Sequence, residues 1–225
     1  MLDSLPKHSE YPQRTPEYYG GYDWITLRDK MNNVAKTEKN EEYKLIISLY
    51  MNSVPRRSSD YANCLINKPD DGVHNILVFT KDTKKFIFND YKNIVKSGKQ
   101  VVPIVNEQLI STIKKYLNTH KNNTYLFESE FGEPLTETQI VTKIAAIAKK
   151  NNLQTIWGIN SFRHILANLI HDKEYSDVKV REICRNMGTS LEVLKRSYTD
   201  KKDTGFDVDI LEDKPRQKKQ SKKKK

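Results

Sequence analysis

Three short β-type runs lie together in the middle of a chain whose other patterns are helical, and this order limits the folds it can adopt. The runs cover residues 74–80, 84–92 and 99–105, and polar turn residues separate them. Runs of this length joined by short turns predict a three-stranded antiparallel meander. Two helical patterns come before this small sheet and four or five come after it.

Helical periodicity covers most of the remaining chain. Before the sheet, one helix is predicted to begin after Asp23 as its N-cap, and a mostly apolar helix covers 41–52. After the sheet, residues 107–120 are amphipathic, and Thr136 with Gln139 has the spacing of a capping box. Further helical patterns follow. The order predicts an α+β fold that is mainly helical.

The two ends of the chain differ from its body. Residues 1–22 lack periodicity and are predicted to form a flexible arm, 23–205 form the folded domain, and 206–225 form a disordered basic tail. The net charge of +10 suggests a polyanionic partner, but eight of the 39 Lys and Arg residues lie at 214–225. The rest of the chain contains the remaining 31 basic residues and all 29 acidic residues, so it carries little net charge. The tail could therefore add nucleic-acid affinity that is independent of sequence, or direct nuclear import.

Several classes of protein are excluded by the composition. No apolar run approaches the roughly eighteen residues that cross a bilayer, and the N-terminus lacks the apolar core of a secretory signal. Cys64 and Cys184 lie far apart without metal-ligand spacing. We expect two reduced, buried thiols and neither a zinc site nor another cofactor.

Three side chains lie within or next to apolar stretches of the sequence. Arg163 lies in an apolar helical pattern, and Arg57 lies in a polar turn between two apolar stretches. A buried guanidinium needs an anionic partner, and a structural salt bridge would satisfy either arginine. Tyr198 follows Leu191 and Leu194 on one helix face, which on its own is typical of a core tyrosine.

Together these segments resemble the tyrosine recombinase (phage-type integrase) family. The family pattern begins with an arginine that has an acidic residue three positions later, followed by a lysine in a β-hairpin. Arg57 with Asp60 matches the arginine and the acid. Lys92, at the end of the second β-type run, resembles the lysine, and Lys96 and Lys99 are nearby alternatives.

The second half of the family pattern is a His-x-x-Arg box, a Gly-His pair and a tyrosine nine residues beyond that histidine. Arg163 matches the second arginine, Gly188 matches the glycine, and Tyr198 lies nine residues after Thr189. The resemblance covers about residues 23–202, and it implies a helical catalytic domain of the tyrosine recombinase type.

Two positions depart from the family pattern. Asn160 stands where the second box usually has histidine, and Thr189 stands where the family usually has histidine or tryptophan. Both can hydrogen-bond a phosphate oxygen, so both are candidate site residues, but neither can shuttle a proton near neutral pH. His164 points elsewhere around its helix and is expected to be a hydrogen-bonded core residue.

The resemblance implies an integrase or site-specific recombinase that cleaves and rejoins DNA through a covalent 3′-phosphotyrosine intermediate, without a metal. In this chemistry Arg57 and Arg163 neutralise the charge that develops at the phosphorus. Tyr198 is the nucleophile, and Lys92 protonates the leaving oxygen.

The implied partner is double-stranded DNA, on which copies of the chain would assemble as dimers or tetramers, with no membrane. Two alternatives remain: an enzyme like a type IB topoisomerase, which shares this chemistry, and a DNA-binding module that has lost catalysis. The Lys-rich tail favours a eukaryotic virus or mobile element acting in a host nucleus or virion. A prokaryotic protein would act in the cytosol or nucleoid.

Overall fold

The computed structural model describes residues 21–153, 158–173 and 175–198, without the side chains of 171, 172 and 195–198. The predicted arm at 1–22 therefore lies almost entirely outside the described residues, and the predicted tail at 206–225 lies wholly outside them. The α-helices of the described part are α1 (Trp24–Thr37), α2 (Glu41–Met51), α3 (Ile94–Ser97), α4 (Glu107–Thr119), α5 (Glu137–Lys150), α6 (Ile159–Asp172), α7 (Asp177–Asn186) and α8 (Leu191–Tyr198). A 3-10 helix, Ser58–Asp60, follows α2. The expectation of a mainly helical α+β fold is confirmed.

The sheet is mixed and has one strand more than predicted. Its strands β1 (Leu65–Ile66), β2 (Ile76–Phe79), β3 (Lys84–Phe88) and β4 (Gln100–Pro103) lie side by side in chain order. The predicted antiparallel meander is β2 to β4, but β1 adds to its edge parallel to β2. The prediction of three strands was wrong because β1 has only two residues, too few to show a period of two.

The second helix forms the centre of the core. Every residue of α2 from Leu45 to Met51 is buried, and α2 packs against α1, α4 and α5. At its end Tyr50 stacks on Phe162 of α6, with ring centroids 5.8 Å apart. This contact places the residues that follow α2 beside those that begin α6. The predicted buried thiols are confirmed, since Cys64 and Cys184 are both free and buried.

Local capping signals fix several helix ends as predicted. Asp23 accepts a hydrogen bond from the backbone N–H of Thr26 at 2.9 Å and so caps α1. Thr136 and Gln139 form the full capping box of α5. No helix in the described part of the chain is long and apolar enough to cross a membrane.

A buried carboxylate connects the first loop to the end of α5. Glu38 is 8% exposed, and its Oε1 accepts from the backbone N–H groups of Lys39 at 2.8 Å and Asn40 at 3.0 Å. Its Oε2 accepts from Lys150 Nζ at 2.8 Å. These hydrogen bonds hold the pKa of Glu38 below its ordinary value of 4.5. The bond from the backbone N–H of Asn40 has the largest effect, and the bond from Lys150 has the next largest.

We expect Glu38→Gln to lower the free energy of unfolding by about 1 to 2 kcal/mol at pH 7, because charge-assisted hydrogen bonds are lost. A depressed folded-state pKa means that this stabilisation is present above about pH 4.5 and disappears as the pH falls through the folded value. Urea unfolding at pH 7 and at pH 2 tests this, with Glu130→Gln at an exposed position as the control. A difference that does not change with pH would contradict the assignment.

Candidate active site

The first candidate arginine lies in the turn after α2. The chain passes from α2 through Pro55 and Arg56 to Arg57, whose extended backbone leads into the 3-10 helix. The half-buried side chain of Arg57 donates from Nη1 to the carbonyl oxygen of Gly188 at 2.8 Å. Arg57 thus joins the turn after α2 to the turn between α7 and α8.

The second candidate arginine reaches the same turn from α6. Arg163 is fully buried and donates from Nη1 to the carbonyl oxygens of Pro55 at 3.0 Å and Met187 at 2.8 Å. Arg163 is more buried than Arg57 because it lies in an apolar helix, whereas Arg57 lies in a polar turn. The structure therefore brings together two arginines that lie 106 positions apart in the sequence.

A third arginine, which the sequence did not single out, completes the cluster. Arg56 is 2% exposed and donates from Nε to Asp60 Oδ2 at 2.8 Å. Its Nη1 donates to the carbonyl oxygen of Asn186 at 2.8 Å and to Gln100 Oε1 at 2.9 Å. The four-residue spacing between Arg56 and Asp60 was a signal for this pair, but the family pattern drew attention to Arg57 instead.

The three guanidinium groups contact three consecutive carbonyls. Arg56 binds the carbonyl of Asn186, Arg163 that of Met187 and Arg57 that of Gly188. These carbonyls belong to the last residue of α7 and the two residues after it, where a helix concentrates negative partial charge. The contacts hold the arginines in place before any anion binds, which is the preorganisation that electrostatic catalysis needs.

The counter-charge of the cluster is the carboxylate of Asp60. Asp60 is fully buried, and its backbone carbonyl accepts from Asn75 Nδ2 at 2.9 Å. Burial raises the pKa of Asp60 above its ordinary value of 3.8, and the charge and hydrogen bond of Arg56 oppose that shift. Arg57 and Arg163 act in the same direction as Arg56.

The candidate lysines lie in the connection between β3 and β4. Lys92 is exposed and follows the buried Tyr91, and its neighbour Asn93 donates from Nδ2 to the carbonyl of Gly188 at 3.1 Å. Arg57 uses that same carbonyl, so the backbone at Lys92 lies next to the arginine cluster. Lys96 is exposed on α3, and Lys99 forms an ion pair with Asp70.

The two residues that depart from the family pattern differ in exposure. Asn160 is exposed on the first turn of α6. Thr189 is 5% exposed, and its Oγ1 is buried without a hydrogen-bond partner among the described residues. His164 is buried, as its predicted core position requires. Tyr198 ends α8, but its side chain lies outside the described residues.

The helix that carries the tyrosine begins close to the cluster. Gly188 and Thr189 close α7 with a Schellman motif, in which Gly188 N–H donates to Arg185 and Thr189 N–H donates to Cys184. Then α8 starts at Leu191 and packs against α6 and α7, with Leu194 fully buried. Along the chain, the candidate site is therefore formed by five segments: the turn with Arg57, the β3–β4 connection with Lys92, α6 with Arg163, the turn at Gly188, and α8, which ends at Tyr198.

Residues 27–203 match the phage integrase family over a continuous stretch that includes every residue of this site. The chain belongs to the phage integrase family. No curated protein sequence matches it. Membership in this family agrees with the resemblance that the motifs suggested.

Among solved structures, the phage integrase domain of this chain is similar to the crystal structure of XerA recombinase. The TM-score is 0.56 at 19% sequence identity, and the match covers 78% of this chain. It covers 59% of the XerA chain, so this chain spans less than two thirds of that protein's length. At this identity the likeness establishes a shared fold.

The glycine of the family pattern has a steric role in this site. Gly188 has a φ of +62°, and a Cβ at this position would lie 2.7 Å from Arg56 Nη2 and 3.3 Å from Asp60 Oδ2. Only glycine combines this backbone conformation with so close an approach. The turn at Gly188 can therefore contact the buried ion pair of Arg56 and Asp60 directly.

We expect Gly188→Ala to lower the free energy of unfolding by about 2 to 4 kcal/mol, from left-handed backbone strain and from overpacking. Gly132→Ala is the matched control, because Gly132 has a φ of +77° but a Cβ at that position would meet no atom within 4 Å. Chemical denaturation of both variants measures the difference. Equal losses would show that backbone strain alone explains the glycine.

Proposed function

We propose that this chain breaks and rejoins DNA strands by transferring a phosphodiester to Tyr198, as an integrase or site-specific recombinase. The observation that carries the proposal is the pair Arg57 and Arg163, held by neighbouring carbonyls at the turn that leads into the tyrosine helix. Two preorganised guanidinium groups suit a phosphate, since each is permanently charged and can donate two parallel hydrogen bonds.

The proposed step is an in-line displacement at phosphorus. The Tyr198 oxygen forms a bond to phosphorus, and the bond from phosphorus to the 5′-oxygen breaks. The phenolic proton passes from Tyr198 to solvent water, and Lys92 donates a proton to the departing 5′-oxygen. A 5′-hydroxyl from another strand then attacks the phosphotyrosine, which reverses the step and rejoins DNA. Side chains supply all the positive charge that this step requires.

The partner in this proposal is double-stranded DNA, with copies of the chain assembling on it so that strands can be exchanged. The predicted domain from 23 to 205 would contain the whole catalytic set. The basic tail at 206–225 would add affinity that does not depend on sequence, through release of counterions from the phosphates.

The proposal is tested by incubation of the protein with a pool of end-labelled, nicked duplexes of random sequence. A nick near the cleavage position lets a short product diffuse away and traps the covalent intermediate. We expect a labelled adduct that survives boiling in detergent and disappears on protease treatment. Bound DNA with no adduct under these conditions would contradict the proposed chemistry.

One observation favours a second candidate, a DNA-binding module without catalysis. Neither Asn160 nor Thr189 carries an imidazole, and the hydroxyl of Thr189 is buried. DNA binding in native gel-shift assays without a covalent adduct would support this second candidate. A topoisomerase-like enzyme would form the adduct and also relax supercoiled plasmid, so a relaxation assay separates it from a recombinase.

A further inference from the structure

We propose that Arg56 is a positioning residue that connects the lysine-bearing β3–β4 hairpin to the arginine cluster. The hairpin is defined here as residues 84–103. The inference rests on the proposed function, because it assigns Arg56 a part in proton donation to the leaving oxygen. Arg56 acts through the hairpin and has no assigned contact with DNA.

On one side, Arg56 contacts the base of the hairpin. Phe88 and Gln100 are partners in the last register pair before the connection that carries the candidate lysines. The guanidinium carbon of Arg56 lies 3.7 Å from the centroid of the Phe88 ring, and Nη1 donates to Gln100 Oε1 at 2.9 Å. Tyr91, immediately before Lys92, has its ring centroid 5.1 Å from the same carbon. Arg56 therefore contacts both strands of the hairpin at the point where the connection between them leaves the sheet.

On the other side, Arg56 contacts the turn after α7, whose carbonyls also hold Arg163 and Arg57. Its Nη1 also donates to the carbonyl of Asn186, one residue before the carbonyl that Arg163 uses. Gly188 lies against its Nη2, and Asp60 binds its Nε. One planar group thus joins the hairpin, the end of α7 and the 3-10 helix.

Arginine suits this position better than any other cation. A guanidinium can stack on an aromatic face while its edges donate in several fixed directions, which a lysine ammonium cannot do. Arg56 uses its face for Phe88 and its edge for Asp60, Gln100 and Asn186. An arginine that served only as the ion-pair partner of Asp60 would need only the edge of its guanidinium group.

Proton donation is the step that this connection controls. A lysine that protonates a leaving oxygen must lie within hydrogen-bond distance of it, so a shift of the hairpin lowers the rate. A leaving group that needs no proton removes this requirement. A thiolate is such a group, because its conjugate acid has a pKa far below that of an alcohol.

The test compares a normal DNA substrate with one in which sulfur replaces the bridging 5′-oxygen at the cleavage position. The variants are Arg56→Lys and Gln100→Leu, with Gln108→Leu on the exposed face of α4 as the matched control. Gln100→Leu keeps the pair of Arg56 with Asp60. It also keeps Asn75, whose Nδ2 joins the carbonyls of Asp60 and Asp90 at 2.9 and 2.7 Å. It therefore carries the test if Arg56→Lys does not fold.

We expect both variants to cleave the oxygen substrate about 10- to 100-fold more slowly than wild type, within the range of general-acid contributions. On the sulfur substrate both should approach the wild-type rate. Thermal unfolding and DNA affinity are measured in parallel to confirm that the variants are folded and bind. Slow cleavage of both substrates would overturn the positioning role, as would wild-type cleavage of the oxygen substrate.

Lys92→Ala separates this inference from the proposed function. We expect the sulfur substrate to restore its cleavage as well, whereas Arg57→Ala should remain slow on both substrates. If the sulfur substrate restores cleavage by Lys92→Ala but not by the Arg56 and Gln100 variants, the positioning role of Arg56 is refuted. The role of Lys92 as proton donor is then still supported. If Lys92, Lys96 and Lys99 all prove dispensable on the oxygen substrate, lysine-assisted transfer fails, and the role of Arg56 fails with it.

Discussion

Tyr198→Phe is expected to abolish the covalent protein–DNA adduct while leaving DNA affinity nearly unchanged. The substitution removes only the phenolic oxygen that would attack phosphorus and keeps an aromatic residue at the last position of α8. Loss of a covalent nucleophile lowers a rate by roughly 10⁶-fold in the best-studied cases, so no adduct should be detected. The adduct is measured on denaturing gels, and affinity is measured by fluorescence anisotropy of labelled duplex.

Tyr175→Phe is the matched control for this experiment. Tyr175 lies just before α7, is buried, and is another tyrosine in the second half of the chain. We expect its Phe variant to form the adduct. Persistence of the adduct in Tyr198→Phe would refute the assignment and make Tyr175 the next tyrosine to test.

Arg57→Ala and Arg163→Ala should each slow cleavage by about 10²- to 10³-fold, because each removes preorganised charge at the phosphate. The two variants should differ in stability. Arg163→Ala removes a fully buried group that satisfies two carbonyls, which should cost about 1 to 3 kcal/mol of folding free energy. Arg57→Ala removes a half-buried group bonded to the carbonyl of Gly188 and should cost less.

Single-turnover cleavage and urea unfolding of the same preparations separate these two effects. Arg28→Ala, at a partly exposed position of α1, is the control for a lost surface charge. Wild-type cleavage by both Arg57→Ala and Arg163→Ala would eliminate the phosphate-binding role. Equal slowing with equal loss of stability would indicate that both arginines act through the fold.

Much of the fold was predictable because its signals are local. Asp23 accepts from the backbone N–H three residues later and so caps α1, and Thr136 and Gln139 form a reciprocal pair of hydrogen bonds at the start of α5. Each of these depends on a few consecutive residues. Strand β1 was missed because its two residues pair with β2 only after the chain has folded back.

The site was predictable in part, for a related reason. The order of Arg57, Arg163 and Tyr198 can be read from the sequence because the family pattern fixes it. Arg56 could not be assigned in that way, since two adjacent arginines look alike until the structure shows which one turns inward. Its partners Gln100 and Asn186 lie 44 and 130 residues away, beyond the range of any local pattern.

The measurement that tests the account most directly is the location of the covalent bond. The trapped adduct is digested with nuclease and trypsin, and mass spectrometry identifies the peptide that carries the nucleotide remnant. Cleavage after Arg196 and Lys201 gives a peptide of residues 197–201, in which Tyr198 is the only tyrosine. The account predicts the remnant on Tyr198 of this peptide, and a remnant on a peptide that lacks Tyr198 would contradict it.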